Sequence, residues 1–307
     1  MTLKRVFCLV ALLATACSST AGADGRSPSR ILPTSTRAAS TEYLPNFSHV
    51  VIVVMENKEY GEIIGNPNAP YINQLARGFA LVRNFYAIRH PSLPNYLALI
   101  GGSTFGIESD CTDCHVGATN LVDQLEKRGI SWKGYMEGMP NPCYRGASSG
   151  RYAKKHNPFM YFDDIANRPG RCHKVVPLSQ LFTDIRGHRL PRFVFITPDL
   201  CHDMHDCSIA AGDRFLHSLV PRVLAALEPN GVLFLTFDEG ESDLGCCQVA
   251  RGGRIVTIVA GPAARRGARS TLSYSHYSVL RTIEDAWGLP RLRRAACACS
   301  RPLSAFF

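Results

Sequence analysis

Beyond residue 17 no stretch of this 307-residue chain is apolar for long enough to span a bilayer as a helix, which takes about 20 residues. There is also no stripe of lysine and arginine interleaved with aromatics, so no nucleic-acid partner is expected. Acidic side chains are the scarcer sign, 25 Asp and Glu against 34 Lys and Arg. The resulting net charge of +9 suits an anionic substrate or a membrane surface. No internal repeat and no linker divides residues 46–307. At 46% hydrophobic and 19% charged, the composition is that of a globular chain able to bury a large core.

What is present begins with an export leader. Lys4 and Arg5 precede an apolar stretch over 6–14 that is too short to cross a membrane. It runs into Ala16 and Cys17, where two readings stand: a lipoprotein leader with Cys17 as lipid anchor, or plain cleavage nearby. Either makes the protein exported, secreted or membrane-anchored. Residues 18–45, rich in Ser, Thr, Ala and Arg, read as a flexible tether. Of 12 cysteines, Cys8 and Cys17 fall in the leader, and the even remainder reads as disulfides. Candidate bridges are 143–172, 201–207 and a tail clamp from 297/299 to 246/247. Cys111-Thr112-Asp113-Cys114-His115 has the form of a haem-attachment motif, but a disulfide is the preferred reading.

From residue 46 onward a single α/β domain is expected. Apolar, β-branched runs at 47–55, 192–197, 231–237 and 254–260 suit strands buried on both faces, and 130–135 is a fifth strand. Helical patterns over 71–77, 121–128, 213–227 and 278–287 alternate with them. This predicts a mostly parallel central sheet flanked by helices. Residues 138–175 read as a long loop or cap. Between the first two groups lies His90-Pro91-Ser92-Leu93-Pro94-Asn95-Tyr96, followed by an apolar run that Gly101-Gly102 stops. Prolines are tolerated at a helix entrance, which places Ser92 at a helix N-terminus. There it is a helix-capping serine or a group facing a phosphate.

Three strands end in polar clusters: Glu56-Asn57, the 199–206 loop, and Asp238-Glu239. In a parallel sheet the carboxyl ends share one edge, where ligands bind. Carboxylates gathered there repel one another unless a cation lies between them. The inference is a divalent metal held by Glu56, Asn57, Asp238 and Glu239, with Ser92 as a further ligand and nucleophile. His205 and Asp203, from the His- and Asp-rich loop, are expected to face this site. His276 is read as a general acid, a second-metal ligand or a helix-capping residue. Lys155 and His156 are candidates for clamping phosphate oxygens.

Taken together, Glu56-Asn57 after a buried strand, His90-Pro91-Ser92-x-Pro94-Asn95-Tyr96, Lys155-His156-x-Pro158, Asp203-Met204-His205-Asp206, Asp238-Glu239 and Ser275-His276-Tyr277 resemble the bacterial secreted acid phosphatases of the phosphoesterase family. That family includes a mycobacterial phosphatase acting on phosphatidylinositol 3-phosphate and, more distantly, bacterial phospholipases C. The resemblance spans about residues 47–289 and implies a fold like that of the alkaline phosphatase superfamily. It implies Ser92 as nucleophile through a phosphoseryl intermediate, with Glu56, Asn57, Ser92, Asp238 and Glu239 around the metal. His205 and His276 would be catalytic, and Asn95, Lys155, His156 and Asp203 would bind substrate. The expected activity is phosphomonoester hydrolysis with an acidic optimum, on a phosphorylated small molecule or a phosphoinositide. The chain is short for the large phospholipases C, so a phospholipase or phosphodiesterase is the alternative, and a non-catalytic anion-binding surface lipoprotein a third reading. Tyr96, standing where sulfatases of the superfamily carry arginine, argues against formylglycine chemistry.

Overall fold

The computed structural model describes residues 44–307. In chain order the elements are β1 (Val50–Met55), α1 (Tyr60–Ile63), α2 (Pro70–Gly78), β2 (Ala80–Tyr86), α3 (Ser92–Gly101), α4 (Leu121–Lys127), β3 (Trp132–Met136), β4 (Ser148–Ser149) and β5 (Tyr152–Ala153). Then follow α5 (Asp163–Ala166), α6 (Pro169–Cys172), β6 (Val175–Pro177), α7 (Ser179–Arg186), β7 (Phe193–Thr197), α8 (Ile209–Ala225), β8 (Val232–Phe237), β9 (Arg254–Ala260), β10 (Tyr274–Ser275) and α9 (His276–Ala286).

Eight strands form one sheet in the order β10-β2-β9-β8-β1-β7-β3-β6, while β4 and β5 make a separate small hairpin. β1 sits between β7 and β8 and is parallel to both. Only β9 runs against its neighbours β2 and β8, so the expected mostly parallel sheet is what forms. All six residues of β1 are fully buried. Burying each such side chain contributes about 1.5–3 kcal/mol before chain entropy is counted. That double-sided burial explains why its sequence shows no polar alternation.

Helices are tied to this sheet by specific polar contacts as well as by apolar faces. Asp213 of α8 is buried, and its carboxylate accepts the amides of Tyr71 (3.1 Å) and Ile72 (2.9 Å). It thereby caps the first turn of α2, whose leading residue Pro70 has no amide to offer. α3 is buried along its whole length and stops at Gly102, which is left-handed at φ 69°. A Cβ there would lie 2.5 Å from the Leu292 carbonyl, so only glycine fits.

The expected elements are found with small shifts, and several short ones were not anticipated: α1, β2, β6, α7 and β10. The 138–175 segment, expected as a long loop or cap, carries β4, β5, α5 and α6 along its length. Bridges 143–172 and 201–207 pair as expected, and Cys111 bonds Cys114, consistent with a disulfide rather than a haem site. The tail clamp is not formed. Cys297 bonds Cys299, while Cys246 and Cys247 are free thiols 2.8 Å apart. The tail is tied instead to α9, where Arg281 donates to the carbonyls of Cys297 (3.0 Å) and Ser300 (2.7 Å). The leader over 1–17, its Cys17 anchor and nearly all of the tether lie outside the described residues. Among the described residues no helix is long and apolar enough to cross a membrane.

Candidate active site

Because β1 and β8 run side by side in register, Met55 opposite Phe237, their next residues emerge together. The Asp238 amide donates to the Met55 carbonyl at 2.9 Å, and the Glu56 amide donates to the Asp203 carbonyl at 2.9 Å. Three loops are thus stitched at one sheet edge. Asn57 adopts a left-handed φ of 43°, which asparagine tolerates, and this turns its amide N–H onto Asp238 Oδ1 at 3.2 Å.

Ser92 is the first residue of α3, and its side chain is buried between two acids. Its hydroxyl lies 3.1 Å from Glu56 Oε2 and 3.4 Å from Glu239 Oε1. Tyr96, one turn on, donates from its hydroxyl to the other oxygen of Glu56 and stacks on the His156 ring, 5.3 Å between centroids. His156 Nε2 is 3.2 Å from Glu56 Oε2, and its Nδ1 is 3.3 Å from Asp203 Oδ2. On the other flank His90 Nδ1 lies 2.5 Å from Glu239 Oε2. Lys155 Nζ reaches Asp110 Oδ2 at 3.0 Å and His205 Nε2 at 3.3 Å, while His205 Nδ1 is held by Asp206 at 2.7 Å. His90, Lys155 and His205 are partly exposed and form the mouth of an otherwise buried cluster.

The electrostatics of the cluster are lopsided. Burial, reinforced by Glu239, raises Asp238 to about 8. Burial, reinforced by Asp110, raises Glu239 to about 8. Asp203 is pushed to about 8, and Glu56 well above its usual range, again chiefly by burial and then by neighbouring carboxylates. Burial works against the charge of Lys155, but Asp110 and the field of Glu56 and Asp238 outweigh it and its pKa rises. One ammonium does not neutralise four carboxyl groups. Asp238 Oδ2, Asp203 Oδ2 and His156 Nε2 are buried without a hydrogen-bond partner. One terminal amide atom of Asn57 lies 2.9 Å from Glu56 Oε2 and 3.1 Å from Asp238 Oδ1. In a bare site the amide nitrogen belongs there, whereas a cation would turn the oxygen inward. Hard oxygen donors, orphaned and crowded, fit a divalent cation. Glu56, His156 and Asp203 also offer ligand atoms within 4.8 Å of one another.

Several expected site residues sit differently from their assigned roles. Asn95 is fully used by the chain. Its Oδ1 accepts from the amides of Ile88 (2.8 Å) and Arg89 (3.2 Å), and its Nδ2 donates to the carbonyls of Arg89 (2.6 Å) and Pro91 (3.2 Å). It therefore shapes the loop leading into Ser92 instead of facing substrate. His276 is fully buried at the start of α9, with Nε2 2.6 Å from the Asp238 carbonyl, so it braces the strand end. Burial lowers it to about 4 and lowers His156 well below its usual value. Burial thus disfavours the charged form of both imidazoles. The helix entrance is also less open than expected. The Leu93 amide donates to Asp110 Oδ1 at 2.9 Å, and Pro94 has none.

The 199–206 loop proves to be divided. Asp203 and His205 face Ser92's cluster, whereas His202 turns to Glu137, at 3.0 Å, and Asp199 accepts the amides of Cys201 and His202. His90, Tyr96 and Asp110 were not picked out as site residues. The first two stood inside the Ser92 motif, and Asp110 lay in a loop with no pattern to mark it.

Comparison with known proteins gives the family and the fold. The phosphoesterase family model matches residues 66–290. The chain belongs to the phosphoesterase family. This phosphoesterase is 36% identical over 250 residues to a phosphatidylinositol-3-phosphatase of Mycobacterium tuberculosis, covering 81% of this chain and 79% of that one. It is 29% identical over 267 residues to an acid phosphatase of Aspergillus fumigatus, covering 83% of this chain and 58% of the relative. A Vibrio parahaemolyticus protein of the alkaline phosphatase superfamily superposes with a TM-score of 0.58 at 12% identity, over 83% of this chain and 71% of that one. The fold of the phosphoesterase is therefore that of the superfamily, and the expected class, a hydrolase of phosphate esters, stands.

Proposed function

We propose that the protein is an exported acid phosphatase that hydrolyses phosphate monoesters, phosphoinositides among them, through Ser92. The observation that carries this reading is the Ser92 hydroxyl lodged between Glu56 and Glu239, with Lys155 and His205 at the mouth. Glu56, Asn57, Asp238 and Glu239 are the residues that would hold a divalent cation. When bound, it supplies charge neutralisation at the phosphoryl oxygens. The chain's own groups do the rest. Ser92 Oγ attacks phosphorus as its proton passes to Glu56, which a bound cation would keep ionised, and the P–O bond to the alcohol breaks. His205, oriented by Asp206, gives the departing alkoxide its proton. The phosphoseryl ester left behind is then opened by water, which restores the serine. Lys155 offsets phosphate charge, as phosphoryl transfer chiefly demands. Tyr96 and Asp203 hold Glu56 and His156 in place, Asn95 sets the loop that presents Ser92, and His276 braces Asp238.

Export is supported by the four disulfides among the described residues, a feature of oxidising compartments. The test is release of phosphate from p-nitrophenyl phosphate with and without chelator, set beside bis(p-nitrophenyl) phosphate. Faster turnover of the diester would replace this reading with a phosphodiesterase.

A further inference from the structure

A cleft of about 510 Å³ opens at His90, two residues before Ser92 in the chain. Its wall includes Arg89, His90, Asp243, Arg251, Tyr277 and Arg294. The link to the reacting serine is short. His90 lies in the cleft wall and contacts Glu239, whose other oxygen is 3.4 Å from Ser92 Oγ.

We propose that this cleft is a second anion subsite, which takes a second phosphate group carried on the alcohol that leaves. The inference rests on the phosphomonoesterase reading and narrows it to doubly phosphorylated substrates.

Three observations support it. Each arginine hangs from backbone bonded to the segment that carries the nucleophile. The Arg251 amide donates to the Ile88 carbonyl at 2.9 Å, the Gly252 amide to Ala87 at 3.0 Å, and the Arg294 amide to Gly102 at 2.9 Å. A Cβ on Gly252 would lie 2.7 Å from the Arg89 amide nitrogen, so glycine permits that close approach. The guanidinium groups are also in excess. Arg89 pairs with Glu108, and Asp243 approaches His90 at 4.0 Å, but Arg251 and Arg294 have no carboxylate partner among the described residues. Arginine's planar fork suits a phosphate oxygen pair. Tyr277 supplies the third observation. It is only 3% exposed, lines the cleft, and its hydroxyl makes no hydrogen bond among the described residues. It shares the cleft wall with Arg89 and Arg294, whose charges oppose the rise that burial imposes on it. A tyrosine hydroxyl left without a protein partner, in a cleft that arginines also line, is a recognition element for an oxyanion.

A phosphate diester on an inositol lipid and a free second phosphate present the same chemistry, and the test separates them. Phosphate release is measured with p-nitrophenyl phosphate, inositol 3-phosphate, inositol 1,3-bisphosphate and dioctanoyl phosphatidylinositol 3-phosphate. The wild type should show a KM about tenfold lower for the bisphosphate than for the monophosphate, as expected for hydrogen bonds to a charged group. The double variant Arg251→Gln/Arg294→Gln should lose that preference for both doubly phosphorylated substrates. Its kcat and KM for p-nitrophenyl phosphate should be unchanged, which also reports an intact fold. Tyr277→Phe should raise KM for the same pair by a smaller factor. Equal KM values for the mono- and bisphosphate in the wild type would overturn the subsite. So would a preference shown by the lipid alone, which would assign the gain to its acyl chains. Failure to release phosphate from any monoester would instead overturn the phosphatase reading beneath it.

Discussion

Two acid-rich clusters in this molecule solve the same problem in opposite ways. Near the surface, Asp123, Glu126 and Asp164 surround Arg171, whose guanidinium reaches Asp123 at 2.7 Å and Glu126 at 2.8 Å and also pairs with Asp164. Lys174 adds a second cation to Glu126 at 2.7 Å. Burial alone would raise Asp123 and Glu126, but the hydrogen bonds they accept outweigh it and both fall below their usual values, while burial and neighbouring Asp123 raise Asp164 only to about 6. Around Ser92, four carboxyl groups share one nearby ammonium, burial wins, and three of them rise to about 8 or beyond the usual range together with Glu56. The chain supplies its own cations where the role is structural. Where it withholds them, the donors are arranged for a cation from solution, and a nucleophile stands among them.

The largest expected effect breaks the reacting cluster at its centre. Ser92→Ala should lower phosphate release by about 10³-fold or more with the fold intact, since a covalent step has no substitute. Turnover within a few-fold of wild type, measured on a chromogenic monoester, would remove Ser92 from the mechanism. A second measurement follows thermal unfolding with and without divalent cation. A cation at a hundred times its dissociation constant should stabilise the wild type by about 2.7 kcal/mol. Asp238→Asn should abolish that gain, yet melt higher than wild type in chelator above pH 8, where the carboxyl held at about 8 ionises among its neighbours and the amide does not. An unchanged response to cation in the variant would count against Asp238 as a ligand.

The surface cluster should respond in the opposite sense. Arg171→Met leaves Asp123 and Asp164 facing each other with no cation and Glu126 with Lys174 alone, and should cost about 2 kcal/mol of stability. Phosphate release at saturating substrate should not change, and cation should stabilise variant and wild type equally. A drop in kcat would show that the two clusters are coupled.

How much of this was legible in the sequence follows from the same contrast. The buried strands announced themselves as unbroken apolar runs, and a parallel sheet then forces Glu56, Asp203 and Asp238 to one edge whatever the loops do. The short elements carry no signal because β2, with Arg83 and Asn84 partly or fully exposed, has no clean period, and β6 and β10 are only three and two residues long. Within the site, residue type was readable but orientation was not. Asn95 and His276 have the chemistry to bind substrate, yet each is consumed by backbone groups that only the folded chain brings near. His202 and His205 are three residues apart and face different partners, because the loop between them turns at Met204, left-handed at φ 82°. Arg171 collects its acids from α4 and α5, a grouping that no local motif encodes.

A third carboxylate sharpens the comparison, since neither arginine nor a metal site neutralises it. Glu284 in α9 is fully buried; its Oε1 accepts the Leu292 amide at 2.9 Å, and its Oε2 has no partner. Burial is the main cause that raises it to about 8, so at neutral pH a proton does what Arg171 does elsewhere. The sign follows from linkage. Between the unfolded value near 4.5 and about 8, the folded state binds the proton and the unfolded state does not, so stability falls as pH rises through that window. Glu284→Gln keeps the acceptor for Leu292 and removes the titration. Denaturant unfolding of the two proteins, with the same cation present, should show the variant gaining on the order of 1 kcal/mol over wild type on going from pH 5 to pH 8. Parallel pH profiles would mean that Glu284 is ionised in the fold and that a cation reaches it after all. The division of labour would then fail, because a buried acid outside the active site would need the same outside help as Asp238.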